Sequence, residues 1–332
     1  MKNRSIENTP LTYQEELKDY LNNGCTAVSS LIIDSSGHQD RFISGVEDDI
    51  SQKPIDEQTL FDIASITKLF TATVILRLME AGKLDIDNRV GEFLDNFKNS
   101  KIKLLDLLTH RVKFDLMLSE YRAKFPHNFR DKLLQIAGPA EPIGSVDYHN
   151  LGYVYLGFIV EKITGQKIDQ AFQSLFSELG LGKTTTGAQT NDFNFVASEN
   201  TPNQLKKGIT QDESAELLGG VAGNAGVFST AEDLAKFAEL WVNDKILSSE
   251  TQSRVFKNYG GNSAQAIGWW GRTYSGNTAD EGIFCHPGFS GCLLAINRNN
   301  GKAGVLLSNR TYFSRENKAH RRIFDLLIEE LK

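Results

Sequence analysis

The stretch spanning residues 59–79, TLFDIASITKLFTATVILRLM, constrains this chain more than any other. After Lys68 the residues Leu69, Phe70, Val74, Ile75, Leu76, Leu78 and Met79 are apolar nearly all round, the pattern of a helix buried inside a domain and not lying on its surface. Ser65 and Lys68 stand three apart at its head, so a helix sends both side chains off one face, a hydroxyl beside a cation. At the N-terminus of such a helix, free N–H groups and the positive end of the helix dipole favour developing negative charge. The same letters also suit an ordinary N-cap serine with Lys68 in solvent, and only partners elsewhere in the chain separate the two readings.

At 332 residues the chain is long enough for about two domains. Residues 11–23 have the spacing of an amphipathic helix, and CTAVSSLIID and RFISGV flank the turn Ser35-Ser36-Gly37 as a β-hairpin. From residue 63 to about 261 the pattern is mainly helical, with apolar periodicity over 104–108, 129–136, 152–164, 168–179 and 231–242. Strand signals return in AIGWWGRTY, GIFCHPG, GCLLAINRN and KAGVLLSN, short runs separated by turns such as Asn299-Asn300-Gly301. Residues 318–332 close the chain with Ile323, Leu326, Leu327 and Leu331 at helical spacing. The expectation is an α/β fold: an antiparallel sheet flanked by N- and C-terminal helices, built from residues 1–62 and 262–332. An all-helical domain of residues 63–261 is inserted.

A formal charge of −6 gives no basic surface for nucleic acid or anionic membrane, which points to small-molecule or short-peptide substrates. Cys25, Cys285 and Cys292 are sparse, odd in number and without metal-ligand spacing, which fits a reducing compartment and no metal. No apolar run has signal-peptide character or bilayer-spanning length, so a cytoplasmic protein is expected. The glycines of 219–226 match neither the dinucleotide nor the P-loop spacing. They read as a tight loop ending at Thr230, whose hydroxyl caps the next helix while Asp233 reaches back.

Partners for Ser65 come in two places. Tyr148-His149-Asn150 precedes the apolar segment LGYVYLGFIV; in an extended loop its phenol and carboxamide point the same way, and His149 faces away. His286-Pro287-Gly288-Phe289 ends a late strand. Decoys with the same letters are Ser100 with Lys103 in a polar connector and Tyr20-Leu21-Asn22 on the N-terminal helix. His38, His127 and His320 sit in polar stretches without ligand partners.

The order S-x-x-K, Y-x-N, then a basic residue followed two positions on by Gly, resembles the serine β-lactamase and penicillin-binding-protein superfamily, most of all its class C and esterase-like branch. GVAGNAGVFSTAEDL at 220–234, HPGFSG at 286–291 and LLSNR at 306–310 resemble the same branch, and the likeness runs from about Cys25 to the end. The resemblance implies that Ser65 is the acylated nucleophile and that Lys68 and Tyr148 handle its proton. It also implies that Asn150 contacts substrate and that His286 and Gly288 take the place of the usual basic residue and its glycine. The backbone N–H groups of Ser65 and Phe289 are the expected oxyanion donors, and no metal or organic cofactor is required.

Two departures carry consequences. Pro287 stands where relatives usually have Thr and offers neither hydroxyl nor N–H, so a carboxylate next to the scissile carbonyl should be less well paired. His110-Arg111-Val112-Lys113-Phe114 replaces a His-Thr-Ser-Gly turn and is expected to change the rim of the site without removing a catalytic group. His286, as an imidazole, is expected to ionise near neutral pH. The implied activity is that of a serine hydrolase acting through an acyl-enzyme on small ester or amide substrates, D-amino-acid derivatives among them. The alternatives are a D-Ala-D-Ala carboxypeptidase or weak β-lactamase and, from a different class, a non-hydrolytic ligand sensor.

Overall fold

The computed structural model describes residues 11–98, 100–136, 140–187 and 193–332. Part of the turn-rich segment expected before Tyr148 therefore lies outside the described residues. Thr12 opens the first helix, Tyr13–Gly24, through a reciprocal capping box with Glu15. The expected hairpin follows as β1 (Ala27–Ile33) and β2 (Gln39–Gly45), paired antiparallel from Ala27 opposite Gly45 to Ile33 opposite Gln39.

Three late strands, β3 (Ile283–Pro287), β4 (Leu293–Asn297) and β5 (Ala303–Ser308), form the expected meander. β5 pairs with β1, giving one antiparallel sheet of order β2-β1-β5-β4-β3. The tryptophan-rich run before it is not a sheet strand: Trp270 makes only isolated bridges, to Gln265 and Cys285. It is a loop buried almost continuously from Ala266 to Trp269, and a short apolar run alone does not tell such a loop from a buried strand.

Each sheet face has its own core. Val28, Cys285, Leu293, Ala295 and Leu306 pack with Leu17, Tyr20, Ile323, Phe324 and Leu327 of the first and last helices, the latter His320–Leu331. The opposite side chains, Leu31, Leu294, Ile296, Val305 and Leu307, join the large core of the helical region. Strands buried on both faces read as near-continuous apolar runs, and each buried Leu, Ile or Val contributes roughly 1.5–3 kcal/mol of transfer free energy. Helix Ala231–Val242 lies against β1, β4 and β5, so this late helix covers the sheet from the helical side.

The helix that dominates the sequence runs Thr67–Glu80 after a 3-10 turn at Ala64–Ile66, and is buried on every side from Thr67 to Leu76. Helix Asn150–Thr164 packs beside it. Thr230 caps helix Ala231–Val242 as expected, but the Asp233 carboxylate does not reach back; it accepts from Lys183 N and the Thr184 hydroxyl.

Candidate active site

The segment leading to Ser65 is bent by a strained residue. Ile63 N–H donates to the Val227 carbonyl, and Ala64 then takes φ = +48°, left-handed backbone that an alanine adopts at a cost of about 1–3 kcal/mol. The buried Asp62 carboxylate holds this bend, accepting from Ala64 N at 2.9 Å and from Gln211 N at 2.7 Å. Desolvation pushes that carboxyl up to about 6. Ser65 emerges partly exposed on the floor of a cavity of about 520 Å³.

Lys68 is fully buried, and its Nζ donates to Ser65 Oγ at 2.8 Å and to the Asn224 carbonyl at 3.3 Å. The pairing expected from the three-residue spacing is therefore present, and the solvent-exposed alternative is not. Burial lowers the amine from 10.5 to about 7, against the field of Asp212, which tends to keep it charged. The decoy pair is apart from this site: Ser100 Oγ accepts from Ile102 N, and Lys103 pairs with Asp87 at the surface.

Tyr148 borders the same cavity as Ser65. Lys68 Nζ lies 5.1 Å from the centre of its ring. Burial pushes the phenol above its ordinary range, so it stays protonated at neutral pH. His110, expected only to alter the rim, instead lies beneath this tyrosine: it is buried at φ = +54°, its ring centre 4.5 Å from that of Tyr148. The sequence marked His110 only as the head of an altered turn, and its place against Tyr148 depends on a fold-back of the chain. Asn150 opens helix Asn150–Thr164 and borders the cavity with Oδ1 unpartnered. His149 packs on Phe114. The decoy Tyr20 is buried under the sheet, bonded to Ser308.

His286 sits at the end of β3, fully buried, with Nδ1 hydrogen-bonded to the Pro287 carbonyl at 2.9 Å and Nε2 unpartnered. Burial first, then repulsion from Lys68, lowers it to about 3. The expectation of a neutral-range ionisation at His286 is thereby corrected, since the imidazole is neutral throughout that range and the group placed to titrate there is Lys68. Gly288 is required by space: a Cβ there would lie 2.6 Å from the Ile63 carbonyl oxygen. The turn it begins is tied to the nucleophile segment, Ser290 Oγ donating to the Asp62 carbonyl at 2.7 Å. Phe289 projects half-exposed beside the cavity.

Among the described residues no group of three His, Cys, Asp or Glu is placed to hold a metal ion. No helix among them is long and apolar enough to cross a membrane. What the site offers is a hydroxyl, an amine that is half neutral near pH 7, a protonated phenol and an open cavity, the elements of nucleophilic acyl transfer.

A cavity-facing serine bonded to a buried lysine beneath a sheet edge, with a tyrosine bordering the same cavity, defines a class of serine hydrolase, and the comparisons agree. The β-lactamase family model matches residues 24–328, and the chain belongs to that family. An N-acetylmuramyl-L-alanine amidase of Bacillus subtilis (strain 168) is 27% identical over 306 residues, 77% of this chain and 69% of that protein. A solved β-lactamase/D-alanine carboxypeptidase from Pseudomonas syringae superposes with a TM-score of 0.77 at 19% identity, covering 96% of this chain and 98% of the other. The D-amino acid amidase of Ochrobactrum anthropi SV3 does so with a TM-score of 0.71 at 21% identity, covering 96% and 97%. The chain is thus an enzyme, a serine hydrolase of the β-lactamase family, with the mixed α/β fold of that group.

Proposed function

We propose that Ser65 is the nucleophile of an acyl-enzyme mechanism acting on small esters and amides. The observation that carries this reading is the buried Lys68 amine, lowered to about 7 and 2.8 Å from Ser65 Oγ. Neutral, it accepts the hydroxyl proton as Ser65 Oγ bonds to the substrate carbonyl carbon. The oxyanion that forms is received by the N–H groups of Ser65 and Phe289. This role is supported by Ser65's place in the first turn of a 3-10 helix and by the ties between the 288–292 turn and Asp62. Tyr148, still protonated, donates to the leaving group and recovers a proton from Lys68. Water then attacks the acyl-serine while the same pair works in reverse. His286, neutral and buried, spares Lys68 a second positive charge, and Gly288 lets β3 close on the nucleophile.

Asn150 Oδ1, without a partner at the cavity wall, is free to accept an amide N–H from substrate, which favours amides and short peptides alongside esters. The names of the relatives, an amidase, a D-alanine carboxypeptidase and a D-amino acid amidase, support the same range. In this reading the site lies between a sheet unit, 1–62 with 262–332, and a helical unit, 63–261. It is supported by walls drawn from both, Ser65 and Tyr148 on one side, Pro287 and Phe289 on the other. Helix Ala231–Val242, by its packing, associates with the sheet unit. A reducing, cytoplasmic setting is supported by three buried, unpaired cysteines. The test is turnover of p-nitrophenyl acetate: Ser65→Ala is expected to fall to background while Ser100→Ala retains the wild-type rate, and retained activity in Ser65→Ala would refute the assignment.

A further inference from the structure

Three arginines border the cavity, and they differ in their pairing. Arg122 and Arg315 are both neutralised by Glu213, and Arg315 also by Glu199. Arg310, just beyond β5, is only 4% exposed and forms no ion pair among the described residues. Its Nη1 donates to the carbonyls of Arg315 and Asn317, each at 2.7 Å, and its Nε is buried without a partner. The charged and titratable groups facing it are Tyr20, Tyr274, Arg321 and, most weakly, Glu316, with His320 alongside. His320 is 5% exposed, borders the same cavity, and leaves Nδ1 without a partner. A guanidinium removed from water without an anion is unfavourable, and a planar carboxylate is the group that best satisfies its fork of donors.

The position of this cation relative to the chemistry is set by Phe289. Its ring centre lies 4.4 Å from the Arg310 guanidinium, while its backbone N–H is one of the two proposed oxyanion donors. One aromatic side chain therefore separates Arg310 from the scissile carbonyl, and Phe289 and Tyr274 give the surface beside it an aromatic, exposed lining. This is a different place from the carboxylate position beside the scissile bond that Pro287 leaves poorly served.

We propose that Arg310, with His320 beside it, is an anion subsite of the active-site cavity that takes a substrate carboxylate carried about one side-chain length from the scissile bond. The proposal rests on the reading of Ser65 as nucleophile, and it names the substrate class as esters or amides bearing a distal carboxylate on an apolar or aromatic spacer.

The test uses two ester pairs, each an acid and its methyl ester: 3-acetoxybenzoate, with the charge on the leaving group, and mono(4-nitrophenyl) glutarate, with the charge on the acyl group. In at least one pair the wild-type enzyme is expected to show a KM roughly tenfold to hundredfold lower for the anion, the scale of a charge-assisted hydrogen bond. Arg310→Gln should bring that ratio near one, and Arg310→Lys should keep part of it. A merely structural role for Arg310, bracing the carbonyls of 315 and 317, would alter both members of a pair alike. The absence of any anion preference in the wild type, or a preference that persists in folded Arg310→Gln, would overturn the proposal. Calorimetric binding of the same four compounds to Ser65→Ala reads the subsite without turnover: tighter binding of an anion supports it even if no ester is hydrolysed, and equal binding of acid and methyl ester rejects it.

Discussion

Lys68 is the residue on which the chemistry turns, and its environment makes a prediction about pH. Its amine is lowered to about 7 by burial, so it is neutral and able to accept the Ser65 proton above that value, and protonated below it. The acylation rate is therefore expected to fall as pH drops through about 7. Because His286 is held near 3, His286→Gln should leave that acid limb in place, whatever it does to the rate itself. A pH–rate profile of kcat/KM decides the matter; loss of the limb in His286→Gln would mean that the imidazole titrates there after all. At this scale the contact of Lys68 with Ser65 was legible from spacing, because a three-residue interval at a helix start fixes relative position, whereas Tyr148 and Asn150 were singled out only through the resemblance. Asp62, His110, Arg310 and His320 were not legible. Their significance comes from burial, a positive φ or an absent partner, and these are properties of the folded chain. His286 shows the same limit: its identity suggested a neutral pH switch, and its surroundings suppress it.

At the scale of elements, the nucleophile helix owes its register to the glycine loop that crosses it. Thr71 Oγ1 donates to the Gly223 carbonyl at 2.7 Å, Lys68 to that of Asn224, and Val227 N–H donates to Thr67 Oγ1 at 3.3 Å. Gly223 is pressed against helix Asn150–Thr164 so closely that a Cβ would lie 2.0 Å from the Tyr153 carbonyl oxygen. Gly223→Ala must displace the loop, at a cost of about 1–3 kcal/mol, and with it the Asn224 carbonyl that helps hold Lys68. Urea denaturation and ester turnover should both show the loss, and wild-type stability with a wild-type rate would show that the loop does not position the amine. The sequence reading treated these glycines as a turn leading to a helix cap, and the cap is there. Their contact with two helices was hidden because close backbone approach leaves no periodic trace. The hairpin, the late strands and the two outer helices were legible, since each buries a face with its own repeat. The tryptophan run was misread because a loop buried along consecutive residues carries the same apolar letters as a buried strand.

For the molecule as a whole, the two cores on either side of one sheet join strands from both ends of the chain into one support for the site. β3 brings Pro287, Gly288 and Phe289 to the edge of the cavity, and the buried helix brings Ser65 to its floor. Neither arrangement could be read from any one stretch, because the segments that meet are more than 200 residues apart, Ser290 against Asp62 being the direct link. In the proposed mechanism this junction forms a covalent acyl-serine. Intact-mass spectrometry of the protein mixed rapidly with an activated ester tests it most directly. A transient mass gain equal to the acyl group is expected in the wild type, in a peptide containing Ser65, and none in Ser65→Ala; an equal gain in Ser65→Ala, or turnover in the wild type with the label confined to another residue, would contradict an acyl-serine at this position.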